Sequence, residues 1–215
     1  DSRVYPGQAI VEAVRQAQNP PKVVIQASAV GYYGVHDYSV TITEDSPPGR
    51  DFLADVSKQW EASTAEVTDK GVRQVIIRTG VVLSKEDGAL PRLALPFKLF
   101  AGGPLGNGRQ PFPWIHLHDE VKAIRHLISQ RDASGPYNLT APNPVTNREF
   151  ANIMGRVLGR PSFVPAPAFA FNLAFGEVAT VVLDGQKAVP QRLQESGFEF
   201  TYEQPEAALR EIYGK

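Results

Sequence analysis

The chain has 215 residues and a nearly balanced charge, with 22 lysines and arginines against 23 aspartates and glutamates. It contains no cysteine, which excludes disulfides, a thiolate nucleophile and a zinc–thiolate site, and it has no basic stripe of the kind that binds nucleic acid. Hydrophobic residues make up 42% of the sequence, enough for a core, but the longest apolar segment, residues 164–175, falls short of the roughly 20 residues that span a bilayer.

Helices and strands alternate along the first part of the chain. This alternation predicts parallel strands, because a crossover helix must return the chain to the same edge of the sheet after each strand. The predicted elements are a helix with Pro6 in its first turn that ends near Asn19, a strand at 22–27, a loop at 28–50, a helix at 52–70 capped by Asp51 and ended by Gly71, and a strand at 72–77.

The remaining elements are shorter and richer in proline. A segment at 88–101 is predicted to be helical despite two prolines, and a glycine-rich loop, 102–109, follows it. Further predicted elements are a strand at 112–115, a helix headed by Asp119 that ends near Gln130, a strand at 135–139, a helix capped by Thr146 that ends at Leu158, and a last helix at 205–213.

The stretch Ala27-Ser-Ala-Val-Gly-Tyr-Tyr-Gly34 is the most informative one for function. It follows an apolar strand, and ligands of doubly wound sheets bind at the carboxyl ends of strands. Its small residues admit a flat cofactor to the backbone, and its hydroxyl groups can orient a substrate or exchange a proton. The stretch therefore indicates a nucleotide-dependent enzyme.

The chain has no strand followed by Gly-x-x-Gly-x-x-Gly and a helix, the unit that holds a dinucleotide pyrophosphate. The loop Gly102–Gly108 has the glycines but follows a predicted helix, so we interpret it as a flexible loop on the substrate side. His116 and His118 have no third ligand group nearby, so no metal site is predicted. A hydrolase triad of Ser28, His116 and Asp119 is disfavoured because Ser28 lacks the Gly-x-Ser-x-Gly turn.

Nine motifs occur in a fixed order along the chain. They are Ser28–Gly34, Phe52–Glu61, Arg78–Leu83, Gly102–Gln110, Trp114–Asp119, Asn138–Pro142, Thr146–Phe150, Leu158–Pro161 and Gly197–Phe200. In these motifs the chain resembles, over essentially its whole length, the epimerase-family branch of the atypical short-chain dehydrogenase/reductases. Some members carry the label of cell-division inhibitor, among them a plastid protein linked to chloroplast division.

The resemblance implies an α/β fold: the C-terminal part of a Rossmann-type parallel sheet at 1–140 and a small, mostly helical substrate lobe at 141–215. It also implies that the chain starts in mid-fold. Roughly 80 residues, with the first strands and the phosphate-binding glycines, are expected before Asp1. Half a parallel sheet would otherwise expose a long unpaired edge.

Dehydrogenases of this class use a tyrosine and a lysine four residues apart on one helix face. No tyrosine in this chain has a lysine at that spacing. On the helix where the pair belongs, the chain has Phe52-Leu53 and Ser57-Lys58 instead. The family shares this departure, which puts ordinary dehydrogenase chemistry in question.

The resemblance implies catalytic roles for Ser28, which would orient a carbonyl, and for Tyr33, which would replace the missing tyrosine as proton donor. Tyr32 is the alternative donor and is predicted to contact substrate. The simpler interpretation is that Ser28 bonds the backbone, and that one tyrosine ring packs while the other lines the pocket.

Cofactor and substrate contacts also follow from the resemblance. The predicted cofactor contacts are Arg3, Ala27, Ser28, Lys58, Arg78, Gly80 and Val82, and the predicted substrate contacts are Tyr32, Arg109 and Trp114. Simpler alternatives stay open for several of them. Lys58 and Arg109 would be solvated, Arg78 would pair with a buried carboxylate, and Trp114 would pack in the core.

These inferences lead to two hypotheses. The first is an NADP(H)-dependent oxidoreductase or epimerase-like protein that acts on a small carbonyl or sugar-like substrate. The second is a non-catalytic dinucleotide-binding scaffold or redox sensor, linked to cell or plastid division, with a protein partner or as a homodimer. Both imply the cytoplasm or the plastid stroma.

Overall fold

The structure, a computed structural model, describes residues 2–164 and 185–214. Three of its strands, β1 (Val23–Ala29), β3 (Arg73–Thr79) and β7 (Gly135–Leu139), form a parallel sheet in the order β1-β3-β7, which confirms the predicted α/β fold. In chain order the described strands are β1 Val23–Ala29, β2 Thr41–Ile42, β3 Arg73–Thr79, β4 Val81–Leu83, β5 Pro111–Phe112, β6 Trp114–His116, β7 Gly135–Leu139, β8 Val145–Thr146 and β9 Lys187–Ala188.

Two of the described helices begin at the capping residues that the sequence predicts. Asp51 caps α2 (Phe52–Ala62) by accepting from Ala54 N, and Thr146 caps α5 (Asn147–Leu158) in a capping box with Glu149, so both predicted caps are confirmed. The described helices are α1 Val4–Gln16, α2 Phe52–Ala62, α3 Leu90–Lys98, α4 Leu117–Ser129, α5 Asn147–Leu158, α6 Gln191–Glu195 and α7 Pro205–Tyr213, with 3-10 helices at Val30–Tyr33 and Ala65–Lys70.

The helix predicted at 52–70 is shorter than its sequence pattern indicated. It ends at Ala62, because the Thr64 hydroxyl turns into the core and donates to Gln26 Oε1 at 2.8 Å. Gln74 Nε2 in turn donates to the Thr64 hydroxyl, also at 2.8 Å. These contacts with the sheet interrupt the α-helix, and a 3-10 helix continues to Gly71.

The strand predicted at 112–115 is divided at Pro113. Proline has no N–H for a ladder, and its carbonyl here accepts from Val81 N at 2.7 Å. As a result β5 pairs antiparallel with β8, whereas β6 pairs in parallel with β4. The predicted loop at 28–50 also contains regular structure, a 3-10 helix and β2, which pairs with β9.

Helices cover both faces of the sheet. On one face, α1 packs through Val11 and Val14 against a small core that includes Val24 of β1. On the other face, Ala123 and Leu127 of α4 pack in a core that takes in β3 and β7. Helix α2 packs against β1 on the same face as α1, so the carboxyl ends of β1 and β3 lie between α2 on one side and α4 on the other.

The mostly helical lobe has a core of its own. Phe150, Met154 and Leu209 from α5 and α7 pack there against α3, but Leu83 and Trp114 from the preceding strands belong to the same core. The lobe therefore uses residues from before 140, and a boundary at that position stays a prediction. Residues 165–184 of the predicted lobe, including Pro165 and Pro167 and nearly all of the apolar segment 164–175, lie outside the described residues. Within the described part, no helix is long and apolar enough to cross a bilayer.

Candidate functional site

The carboxyl ends of β1 and β3 meet α2 through a buried salt bridge. Ser28 lies opposite Arg78 in the parallel register, so both side chains point to the same face of the sheet. Glu61 of α2 accepts from the Ser28 hydroxyl at 2.6 Å and from Arg78 Nε and Nη2 at 2.8 and 2.9 Å. The pairing of Arg78 with a buried carboxylate, one of the two sequence-based alternatives, is confirmed.

Tyr33 extends this network to β7. Its hydroxyl donates to Asn138 Oδ1 at 2.7 Å and accepts from Arg78 Nη1 at 2.9 Å. Burial opposes the charge of Arg78, but hydrogen bonds to Glu61 and Tyr33 outweigh that cost and raise its pKa. Burial also raises the pKa of Tyr33 to about 12, although Arg78 acts in the opposite direction. This geometry favours a structural role for Tyr33, and its proton transfer stays a prediction.

We call Ser28, Tyr33, Glu61, Arg78 and Asn138 the α2-face network. Tyr32 lies at its border. The Arg78 guanidinium sits 3.5 Å from the centroid of the Tyr32 ring, and the two tyrosine rings meet edge to face at 5.3 Å. Tyr32 is half-buried, and its hydroxyl forms no hydrogen bond with any residue the structure describes. Of the hydroxyls in and beside the network, that of Tyr32 is the one available to a ligand.

Alternate residues of the same strands point to the opposite face, toward α4. Ala27 is exposed there and Ala29 is half-buried, so this end of β1 is open. Thr79, opposite Ala29, donates to Glu120 Oε1 at 2.9 Å. Glu120 Oε2 is buried without a hydrogen-bond partner among the described residues, and burial raises the pKa of Glu120 to about 7. We call these four residues the α4-face site.

Two predicted cofactor contacts lie on the protein surface with partners of their own. Lys58 forms an ion pair with Asp55 one helical turn earlier, at 2.5 Å. The guanidinium of Arg3 lies 4.5 Å from the centroid of the Trp60 ring. These contacts do not test the roles expected of the two side chains, and their cofactor contacts stay predictions.

Gly80 and Val82 follow β3 directly. A Cβ atom at Gly80 would lie 2.8 Å from the Pro113 carbonyl oxygen, so glycine is required there by the close approach of the protein's own backbone. Val82 is half-buried and packs against the core between the sheet and α4, on the same side of the sheet as Ala27. The structure thus brings Ala27 and Val82 to one face and Ser28 and Arg78 to the other.

The two predicted substrate contacts in and after the glycine-rich loop differ in exposure. Arg109 is exposed, and its backbone N–H donates to Asn107 Oδ1 at 2.8 Å. Trp114 is 1% exposed and packs in the lobe core, the simpler of its two sequence-based alternatives. Its indole Nε1 has no hydrogen-bond partner in the described part of the chain.

Asp119 does not cap α4, which corrects the prediction from its position. His116 is the cap, since its Nδ1 accepts from His118 N at 3.0 Å. Asp119 is instead fully buried and accepts from the backbone N–H groups of Thr201 and Tyr202 at 2.9 and 2.8 Å. The carboxylate holds the C-terminal segment against α4, so its role is to join two distant parts of the chain.

A further buried acid anchors the network from the other side. Glu44 Oε1 accepts from Asn138 N at 3.0 Å and from Arg192 N, at the start of α6, at 3.3 Å. Burial raises the pKa of Glu44. The contact connects the loop after β2 to β7 and α6.

Sequence reasoning did not assign Glu61, Asn138, Glu44 or Glu120 to the site. Glu61 and Asn138 lie within motifs that carry the family resemblance, and that was the signal available for them. Glu44 and Glu120 had no such signal. A carboxylate that becomes buried has the same local pattern as one that stays in water, because its burial depends on distant segments.

Comparisons with known proteins agree with the fold and the motifs. A chloroplastic homologue of epimerase family protein SDR39U1 from Arabidopsis thaliana is 46% identical over 213 residues, covering 98% of this chain and 61% of its own length. Epimerase family protein YfhF from Bacillus subtilis is 40% identical and is covered over 69% of its length. The crystal structure of human epimerase family protein SDR39U1 (isoform 2), solved with NADPH, has a TM-score of 0.91 and 36% identity, with 99% of this chain and 72% of that chain covered.

A family model described as a domain of unknown function, DUF1731, matches residues 166–212, of which 166–184 lie outside the described residues. The chain spans less than two thirds of the Arabidopsis relative and about seven tenths of the Bacillus relative. The identities and the shared fold show that the chain belongs to the epimerase-family branch of the atypical short-chain dehydrogenase/reductases.

Proposed function

We propose that the protein is an NADP(H)-dependent oxidoreductase or epimerase-like enzyme that acts on a small carbonyl or sugar-like substrate. One observation carries the proposal: at the ends of the same strands, the Tyr32 ring lies on the Arg78 guanidinium on one face, and Ala27 is exposed on the other. Ligands of doubly wound sheets bind at this edge. The cofactor is inferred from the human relative that was solved with NADPH.

The residues of the α4-face site fit the nicotinamide end of such a cofactor. Ala27 and Ala29 have no bulk to keep a flat ring from the backbone, and the unpartnered Glu120 carboxyl oxygen Oε2 can form a hydrogen bond with a carboxamide or a ribose hydroxyl. Ala27, Val82 and Glu120 are the residues that would hold this end. When bound, NADPH supplies a hydride for carbonyl reduction.

The α2-face network prepares Tyr32 to exchange a proton. Glu61 holds Arg78 with two hydrogen bonds, which leaves the guanidinium little freedom to rotate. Arg78 then presents a positive charge beneath the Tyr32 ring, where it stabilises negative charge that develops as the hydroxyl gives its proton to a carbonyl oxygen. Ser28 and Tyr33 act through Glu61 and Arg78 as positioning residues in this scheme.

The test is NADPH oxidation by the intact protein with a panel of aldehydes and ketones, using Tyr32→Phe and Tyr33→Phe as a matched pair. We expect Tyr32→Phe to lower kcat by about 10²- to 10⁴-fold, the usual contribution of a positioned acid, with the NADPH Kd unchanged. Tyr33→Phe should lower kcat less and stability more. A larger loss of kcat in Tyr33→Phe than in Tyr32→Phe would assign proton transfer to Tyr33. If no substrate causes NADPH oxidation, the proposal that the protein is an enzyme is wrong.

A second candidate, a dinucleotide-binding scaffold or redox sensor, is favoured by one observation. The hydroxyls of both Ser28 and Tyr33 donate to other protein groups, so neither is free to polarise a substrate. Under this proposal NADPH binds tightly but is not oxidised by any carbonyl compound, and Tyr32→Phe has no kinetic effect. A link to cell or plastid division, a protein partner and a stromal or cytoplasmic location remain predictions.

A further inference from the structure

Glu120 is a buried carboxyl group at the strand ends. It lies in the first turn of α4 and is 8% exposed. Its Oε1 accepts from the hydroxyl of Thr79, the last residue of β3, and Thr79 stands opposite Ala29, the last residue of β1. The carboxyl group is therefore held at the edge of the sheet where ligands of this fold bind, next to the open end of β1 at Ala27.

No charged group among the described residues compensates an ionised Glu120. Burial raises the pKa of this carboxyl group, and the hydrogen bond from Thr79 is what opposes the rise. The side chain of His118, two residues earlier, is exposed. The other charged or titratable residues next to Glu120 in sequence or in the strand register bond elsewhere: Arg78 to Glu61 on the opposite face, Asp119 to the N–H groups of Thr201 and Tyr202, Lys122 to the Glu199 carbonyl, and His116 to Glu211.

A buried carboxylate without a counter-charge is costly, so ionisation of Glu120 is favoured by a positive charge that a ligand brings. An opposite charge within about 4–6 Å lowers the pKa of a carboxyl group by about 1–3 units. The two forms of a nicotinamide cofactor differ in this respect. The ring of NADP⁺ carries one positive charge, whereas the ring of NADPH is neutral.

We propose that Glu120 makes the α4-face site sensitive to the oxidation state of the cofactor, because its carboxylate pairs with the charged ring of NADP⁺ and its protonated form accompanies NADPH. This inference rests on the NADP(H) binding of the proposed function. When NADP⁺ binds to protein in which Glu120 is protonated, the carboxyl O–H bond breaks and the proton passes to the solvent. NADPH binds without that release.

The two cofactor forms should therefore bind with different pH dependences. Glu120 titrates at about pH 7 in the free protein, and a fall of 1–3 units in its pKa with NADP⁺ makes that form bind more tightly as the pH rises. The ratio of the NADPH Kd to the NADP⁺ Kd should increase by about five- to tenfold between about pH 6 and about pH 8. The phosphates of the two forms are identical, so their own titration cancels in this ratio.

The experiment measures both Kd values and the Glu120 carboxyl group in the intact chain. With carboxyl-¹³C-labelled glutamate, the NMR signal of Glu120 is identified by its loss in Glu120→Gln. We expect saturating NADP⁺ to lower the pKa read from this signal by about one unit or more, and NADPH not to lower it. Glu120→Gln should remove the pH dependence of the Kd ratio, and Glu203→Gln, the same change at an exposed residue, should preserve it.

The outcomes separate this inference from the proposed function. If both nucleotides bind and Glu120 titrates alike with each, or if the Kd ratio still varies with pH in Glu120→Gln, the role of Glu120 is overturned and the cofactor stands. If neither nucleotide binds, the proposed cofactor fails. The cation 1-methylnicotinamide and neutral nicotinamide then decide the role of the carboxyl group: a lower Glu120 pKa with the cation alone supports it, and an unchanged pKa overturns it.

Discussion

The two faces of β1 and β3 use polar groups in opposite ways. On the α2 face, Arg78 and Glu61 are buried, and Arg78 donates two hydrogen bonds to the Glu61 carboxylate. On the α4 face of the same strands, Glu120 has one oxygen bonded to Thr79 and one without a partner among the described residues. Adjacent residues of a strand point to opposite faces, so neighbours such as Arg78 and Thr79 enter these different environments.

One strand end can therefore serve both stability and binding. In the α2-face network, hydrogen bonds between protein groups hold the charges of Arg78 and Glu61 in place. The α4-face site instead has a carboxyl oxygen without a partner among the described residues and an exposed strand end. The largest effects of substitution on folding should therefore lie on the α2 face, and the clearest effects on ligand binding at the α4 face and at Tyr32.

The largest effect is expected for Glu61→Gln. The variant retains the side-chain shape and an acceptor for Ser28, but it leaves the buried charge of Arg78 uncompensated. Removing one partner of a buried ion pair usually costs about 3–5 kcal/mol, and the free energy of unfolding should fall by that amount in urea denaturation. A loss below about 1 kcal/mol, the range of a surface ion pair, would contradict the contrast between the faces.

Glu120→Gln should change how stability depends on pH. Burial raises the pKa of Glu120 from 4.5 to about 7, so between these values the folded protein holds a proton that the unfolded chain has lost. The stabilisation from this proton is complete below pH 4.5 and is lost as the pH rises through about 7.

Glutamine is neutral throughout and escapes that loss. The free energy of unfolding of Glu120→Gln, relative to the unmodified protein, should therefore rise by about 2–3 kcal/mol between about pH 5 and about pH 8. Urea denaturation at both pH values measures this difference. A relative stability that does not vary with pH would mean that Glu120 is ionised in the folded protein, which its unpartnered oxygen argues against.

The two tyrosines sharpen the comparison at the border of the network. Tyr33→Phe removes a buried hydroxyl and leaves Asn138 Oδ1 without its donor, so it should cost about 1–3 kcal/mol. Tyr32→Phe removes a hydroxyl that bonds no described residue, and its effect should stay within about 0.5 kcal/mol. Thermal or urea unfolding of both variants gives the ranking, and equal losses would show that Tyr32 also belongs to the structural network.

The smallest effect is expected for Lys58→Ala. The ion pair of Lys58 with Asp55 is exposed on both sides, and pairs of this kind contribute from zero to about 1 kcal/mol. The free energy of unfolding should change little. The NADPH Kd of the same variant tests the predicted ribose contact, since an unchanged Kd would show that the side chain only pairs on the surface.

The glycine-rich loop shows what local patterns leave out. Its flexibility stays a prediction, but its glycines give no sign of the hydrogen bonds to Asn147 and Arg148 that attach the loop to α5. Asp119 is a similar case, because its place before an apolar helix predicted a cap, whereas its carboxylate joins α4 to residues about eighty positions later. In both cases the deciding partner is far away in sequence, and no local spacing reports it.

The sequence by itself determined the alternation of helices and strands, the caps at Asp51 and Thr146, and the motifs that resemble the family. Each depends on periodicity or on contacts within a few residues, which a single sequence displays. Only the tertiary structure decided that Ser28 donates to Glu61, that Tyr33 is closed in while Tyr32 is open, and that Glu120 is buried with a free oxygen. These properties depend on how α2 and α4 pack on the two faces of the sheet. Burial and pairing between residues that are distant in sequence follow from the register of the strands, and neighbouring residues do not reveal them.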